Sequence, residues 1–250
     1  MDRPRMDRTA AALVIGNELL SGKIQEGNVA FLAKALFQMG IALRRVIVCP
    51  DDEATLVRDL RALATAHDVV FTSGGVGPTH DDITVPSVAK AFDRPLVRDA
   101  ELARMIREHF GERTTEGHLR MADLPEGGEL VSSEEIPWPV IRVENVYVMP
   151  GVPEIFRIKF ALVRDRLGAG SPLVSRAIYT RCDEGEIAEL LERVEREHPG
   201  VLIGSYPRFR DPDHQVKLTF DGRDDALVLA ALRACLSELP AELVVRAEVD

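Results

Sequence analysis

The run Thr72-Ser73-Gly74-Gly75-Val76-Gly77-Pro78-Thr79-His80-Asp81-Asp82-Ile83-Thr84 concentrates the residue types that phosphate chemistry uses. Glycines at 74, 75 and 77 let the backbone adopt positive φ and bring its N–H groups against a ligand with no Cβ in the way. Such a turn suits an anionic group. The helix expected from about Val85, with Pro86 near its first turn, points the positive end of its dipole at the same place. Two carboxylates, Asp81 and Asp82, follow at once and would repel a phosphate in a partly dry site. A divalent cation such as Mg²⁺, Mn²⁺ or Co²⁺, bridging carboxylate and phosphate oxygens, removes the conflict. The alternative is that both aspartates cap the helix and complement its dipole; the local chemistry admits either.

Two other loops follow predicted strands, where ligands of an open parallel sheet bind. Gly16-Asn17-Glu18-Leu19-Leu20-Ser21-Gly22-Lys23 misses the P-loop: five residues separate Gly16 from Gly22-Lys23 where four are needed, and Ile24 stands where a hydroxyl belongs. A dinucleotide fingerprint fails too, since His80 occupies the third glycine position. Pro150-Gly151-Val152-Pro153-Glu154 reads as a strand-to-helix turn in which Pro153 starts a helix. His80 either assists proton transfer or has no part in the chemistry, and Lys23 is placed either to reach a phosphate or to be solvated.

The elements that must position these loops alternate between short apolar runs and segments of helical period. Ala11 to Ile15, Ile41 to Val48 and Val69 to Phe71 read as buried strands. Val29 to Met39, with Asn28 as its expected cap, and Asp52 to Thr65 read as amphipathic helices. That rhythm implies βαβ crossovers and a mostly parallel sheet covered by helices, an α/β fold. Gly168-Ala169-Gly170-Ser171-Pro172 suits a boundary, dividing the chain into 1–170 and 171–250. Beyond it the order strand (Ser175 to Arg181), helix (Glu184 to Glu197), strand (Val201 to Ser205), strand (Val216 to Phe220), helix (Asp224 to Leu239), strand (Glu242 to Arg246) is βαββαβ, a smaller α+β domain.

Composition narrows the function classes. With 31 Lys+Arg against 41 Asp+Glu the net charge is −10, the wrong sign for a nucleic-acid partner. Cys49, Cys182 and Cys235 lie far apart, which excludes a disulfide framework or a zinc knuckle and agrees with a reducing compartment. Arg3, Arg5 and Arg8 precede an apolar run too short for a membrane span, so a soluble cytoplasmic protein is expected.

Taken together, Gly74-Gly75-x-Gly77-Pro78-Thr79-x-Asp81-Asp82, Gly16-x-Glu18-Leu19-Leu20 and Pro150-Gly151-x-Pro153 resemble the MoaB/Mog molybdopterin-binding fold, in the version at the amino terminus of CinA (competence/damage-inducible) proteins. Ile203-Gly204-Ser205-Tyr206-Pro207 and Gln215-Val216-Lys217-Leu218-Thr219 resemble the molybdopterin-binding-like domain of eukaryotic FAD synthase. The resemblance spans about Thr9 to Val245. It implies a three-layer domain whose pocket either binds and adenylylates molybdopterin or cleaves a nucleotide pyrophosphate such as FAD or ADP-ribose with a divalent metal. In that picture the backbone N–H groups of Gly74, Gly75 and Gly77 hold a phosphate, and Ser73, Thr79, Gly151, Glu18 and Asn28 lie near the ligand. Asp82, with Asp81 as neighbour, holds the metal and carries catalysis. The family's dimers and trimers imply self-association.

One segment departs from the family. Where CinA proteins carry Gly-Thr-Ala-Pro-Gly, this chain reads Glu134-Glu135-Ile136-Pro137-Trp138-Pro139-Val140, which cannot offer the same backbone donors. A pocket that binds without turnover is the third reading. Trp138 either stacks on a planar ring or plugs a seam between domains. Arg208, Arg210, Asp213 and His214 form either a lid or a plain polar hairpin loop.

Overall fold

The structure, a computed structural model, describes residues 8–168 and 172–249. Arg3 and Arg5, and residues 169–171 of the expected boundary, lie outside the described residues. Two compact units are present, one formed by 8–37 and 41–168 and a smaller one by 38–40 and 172–249. The larger begins with β1 (Arg8–Ile15), α1 (Asn17–Leu20), α2 (Asn28–Gln38), β2 (Ile41–Cys49), α3 (Glu53–Ala66), β3 (Val69–Ser73) and α4 (Thr84–Ala91). It continues with β4 (Leu96–Arg98), α5 (Ala100–Phe110), α6 (Glu116–Arg120), β5 (Asp123–Pro125), β6 (Glu129–Val131), β7 (Val140–Val143), β8 (Val146–Val148) and α7 (Pro153–Leu167).

The central sheet runs β2-β1-β3-β8-β7-β6; the first four strands are parallel and the last two pairings antiparallel. β1 and β3 are buried almost throughout, as an unbroken apolar run in a covered parallel sheet requires. β2 departs from the expectation of a buried strand. It pairs only with β1 at the sheet edge, and Val46 and Val48 are exposed. Apolar continuity does not distinguish an edge from a centre; that depends on which strand finds a second neighbour.

Helices cover both faces. Leu56, Leu60 and Leu63 of α3 pack with Val88 of α4 on Ile15 and Val70, while Asp52 caps α3 through the Thr55 amide at 2.8 Å. Elsewhere Phe31 of α2 meets Phe156 and Phe160 of α7 edge-on, and Phe160 lies 5.9 Å from Phe71 of β3. This is a three-layer mixed α/β unit of the expected kind.

The smaller unit contains β9 (Val174–Thr180), α8 (Glu184–Glu197), β10 (Leu202–Pro207), β11 (Val216–Gly222), α9 (Asp225–Glu238) and β12 (Val244–Ala247). Its antiparallel order β10-β11-β9-β12 is that of a split βαβ sandwich. Ile187 and Val194 of α8 and Val228 and Leu232 of α9 share one core with Leu218 and Phe220. No helix among the described residues is long and apolar enough to cross a membrane.

Candidate functional site

The carboxyl ends of β1, β3 and β8 lie side by side in the larger unit, and the loops leaving them are knotted together. The Gly74 amide donates to the Met149 carbonyl at 3.2 Å. Asn28 does not cap α2 as expected: it is the first helical residue, and Glu26 Oε1 accepts from the Asn28 and Val29 amides at 2.6 and 3.0 Å. That leaves the buried Asn28 side chain free to donate to Ser73 Oγ at 2.9 Å and to the Gly151 carbonyl at 2.8 Å. Gly74 is required sterically. Its φ is +106°, and a Cβ there would stand 2.4 Å from the Ile15 carbonyl oxygen.

Beyond these ends opens a cleft of about 950 Å³ whose floor includes Glu18, Asn28, the Ser73–Gly77 turn, Asp82 and Gly151. A smaller cavity of about 330 Å³ shares Gly75, Gly77, Asp82, Trp138 and Lys159 with it. Among the described residues the amides of Gly75, Val76 and Gly77 have no protein acceptor, so they are the turn's available anion donors. The Gly74 amide is not among these donors, because it is engaged with Met149.

Asp82 lies against the turn: a Cβ on Gly77 would meet its Oδ2 at 2.7 Å. The same oxygen accepts from the Thr79 amide at 2.9 Å and faces the Thr79 hydroxyl at 2.5 Å. Asp81 Oδ1 is also 2.5 Å from that hydroxyl, whose bond holds Asp81 below the usual carboxylate range. Neither aspartate caps α4; Ile83 occupies the cap position with no side-chain bond. One hydroxyl proton cannot serve two carboxylates at once, so the three side chains form an all-oxygen set that could hold a cation. Two carboxylates and a hydroxyl are hard donors suited to a magnesium-type ion that also binds substrate phosphates.

Four carboxylates, from Glu18, Glu26, Asp82 and Glu135, line the larger cleft against one ammonium, that of Lys159. Sequence reasoning missed this lysine. It projects from α7 beside the buried Phe156 and Phe160, and a lysine on the apolar stripe of an amphipathic helix was the available signal. Its Nζ donates to the Pro139 carbonyl at 2.9 Å, and burial holds its pKa below the usual lysine value.

From the departing segment 134–140, Glu135, Ile136, Pro137 and Trp138 line the cleft. Trp138 also packs on the cluster of Leu102, Ile106 and Ala122, with His109 edge-on at 5.6 Å. Asp81, His80 and Lys23 are exposed; Thr79 and His80 border only the smaller cavity, and Asp81 and Lys23 border neither.

In the smaller unit the β10–β11 loop carries an ion-pair knot. Asp213 Oδ2 accepts from Arg246 at 2.6 Å and faces His214 Nδ1 at 3.0 Å, while the Tyr179 ring packs under Arg246. Asp211, Asp213 and His214 bring potential ligand atoms within 4.8 Å of one another, but Arg246 already compensates Asp213.

Residues 11–168 match the family model described as a probable molybdopterin binding domain, and residues 172–248 match that of the FAD synthase middle domain. A protein of Archaeoglobus fulgidus is 34% identical, with 88% of this chain and 93% of its own length aligned. The probable FAD synthase of Caenorhabditis briggsae is 31% identical over 94% of this chain, which spans 50% of that relative's length. The solved structure of the protein CinA from Thermoplasma acidophilum superposes with a TM-score of 0.60 at 29% identity, covering 64% of this chain and 98% of that one.

Proposed function

The chain belongs to the molybdopterin-binding-domain family, and from that premise we propose that its cleft binds a nucleotide or pterin phosphate and hydrolyses a dinucleotide pyrophosphate such as FAD or ADP-ribose. The supporting observation is the contact of Asp82 with Gly77, which sets a carboxylate and the glycine turn on one wall of the cleft. Water adds to one phosphorus and the bridging oxygen leaves with the other, giving two monophosphates: FMN and AMP from FAD, AMP and ribose 5-phosphate from ADP-ribose.

In this reading the Gly75, Val76 and Gly77 amides hold a phosphoryl group and stabilise charge as it builds on the non-bridging oxygens. Asp82, Asp81 and the Thr79 hydroxyl would hold a divalent cation, which would supply Lewis acidity. Asn28 keeps the β3 and β8 loops at the spacing the turn requires. The planar ring of the ligand lies along the apolar lip of Val152, Ile155 and Ile158, all exposed on the cleft, with Trp138 as a further stacking face.

A panel of FAD, ADP-ribose and related dinucleotides incubated with Mg²⁺, Mn²⁺ or Co²⁺ tests the reading through AMP release. No AMP with any pair rejects hydrolysis. Adenylylation of molybdopterin with release of pyrophosphate, in a parallel assay supplied with ATP and molybdopterin, moves the site to nucleotidyl transfer. Ligand binding with neither product leaves a binding protein, the outcome that the glycine-poor 134–140 segment favours.

A further inference from the structure

Lys159 is the cation the proposed chemistry has not yet used. The residue borders both cavities, as do the Gly75–Gly77 turn and Asp82. Among the described residues its sole hydrogen-bond partner is the neutral Pro139 carbonyl, and no carboxylate forms an ion pair with it. A mostly buried ammonium with only a carbonyl to meet it is costly, and proteins ordinarily supply a counter-charge. Burial shifts its pKa downward, the sign of that missing partner. Trp138, Pro139, Ile141 and Val148 line the same cavity, and although Asp82 and Asp123 line it too, neither pairs with the ammonium, so the anionic group of a ligand is a source of compensation that the cleft can admit.

We propose that Lys159 is an anion-binding residue of this cleft whose ammonium contacts the pyrophosphate group of the ligand directly, an inference that rests on the phosphate reading of the site. The residue then has two duties. It offsets the repulsion that Glu18, Asp82 and Glu135 exert on an anion, and it draws the charged bridge to the place where both cavities meet. Ligands with a pyrophosphate bridge and an arm on each side are favoured over neutral rings of the same shape.

The test uses methylenediphosphonate, whose P–C–P bridge resists hydrolysis, titrated in Mg²⁺ by calorimetry and by the fluorescence of Trp138, the chain's one tryptophan. Lys159→Met removes charge and donor; Lys159→Gln keeps a donor for the Pro139 carbonyl and removes only the charge. Both variants are expected to bind about tenfold or more weakly, the scale of one charge-assisted hydrogen bond, while ligand-free Lys159→Gln keeps the wild-type Trp138 emission maximum. Wild-type affinity in Lys159→Gln overturns the inference and leaves the pyrophosphatase reading standing. Weaker binding accompanied by a shifted Trp138 emission overturns it as well, because Lys159 would then be a brace for the wall. A wild-type protein that does not bind the probe sinks both, whereas one that binds it but releases no AMP from any dinucleotide sinks hydrolysis alone, and the Lys159 comparison still decides.

Discussion

The side-chain amide of Asn28 donates a 2.8 Å hydrogen bond to the carbonyl oxygen of Gly151, a residue 123 positions later in the chain. Its second hydrogen goes to Ser73, so one buried amide fixes the spacing of the loops after β3 and β8. Asn28→Ala leaves those acceptors unmet, at a cost of about 1–3 kcal/mol. Asn28→Asp keeps the shape but turns an acceptor toward the Gly151 carbonyl, and should cost more than alanine. Urea denaturation at neutral pH gives both values; an aspartate variant as stable as wild type would contradict this role.

Two glycines of the same turn should respond in opposite ways. Gly74→Ala places a methyl on the Ile15 carbonyl oxygen at a φ that side chains rarely adopt, with a cost of about 1–3 kcal/mol from the backbone conformation alone. The φ of Gly77 is not positive, and its Cβ would meet only the end of the Asp82 side chain. Gly77→Ala should therefore unfold within about 0.5 kcal/mol of wild type, as surface changes do, yet need more metal for half-maximal AMP release. Melting curves and metal titrations of the two variants separate these outcomes.

Thr79 joins the two aspartates through its hydroxyl, so Thr79→Val should weaken metal dependence more than stability. In the proposed site its hydroxyl is both a donor and the group that orients the two carboxylates, and losing the orienting part alone costs about 10–100-fold in metal affinity or activity. Asp82→Asn should cost at least as much, since it removes the negative charge of a proposed ligand and leaves only a neutral carbonyl oxygen. Equal AMP release by wild type and Asp82→Asn at limiting Mg²⁺ would exclude this carboxylate from the metal site.

Burial holds Lys159 below its ordinary 10.5. Between the folded value and 10.5 the unfolded chain binds more protons than the folded one, so this residue makes stability rise with pH across that window; at lower pH the buried ammonium is a constant cost. Lys159→Met removes the slope. The stability of wild type relative to the variant should therefore climb as pH approaches 10.5, read as the difference between their urea midpoints at pH 7 and pH 10. A flat difference would mean that the folded ammonium is as well solvated as the unfolded one.

Thiol chemistry offers a probe of the two units. Cys49 and Cys235 are buried and pushed up to about 12, chiefly by desolvation. Native protein at pH 8 should resist iodoacetamide at both, with labelling appearing only as urea unfolds each unit. Mass mapping of the labelled cysteines then reports unfolding of the larger unit at Cys49 and of the smaller at Cys235.

What the sequence determined by itself was local: where the chain is apolar without a break, where it has helical period, and where it is free of Cβ atoms. These properties place β1, β3, α3, α8 and the turn at Gly74–Gly77, and they set Asp81 and Asp82 beside that turn, because neighbours along a chain remain neighbours in space. Tertiary structure decided what depends on partners distant in sequence. It put β2 at the edge although its residues read like a centre, gave the Gly74 amide to Met149, and turned Asn28 from a cap into a tie. It also brought Lys159 to a wall with no carboxylate paired to it. A hydrogen bond or an uncompensated charge is a property of two groups meeting, and sheet order, which no local window contains, determines which groups meet.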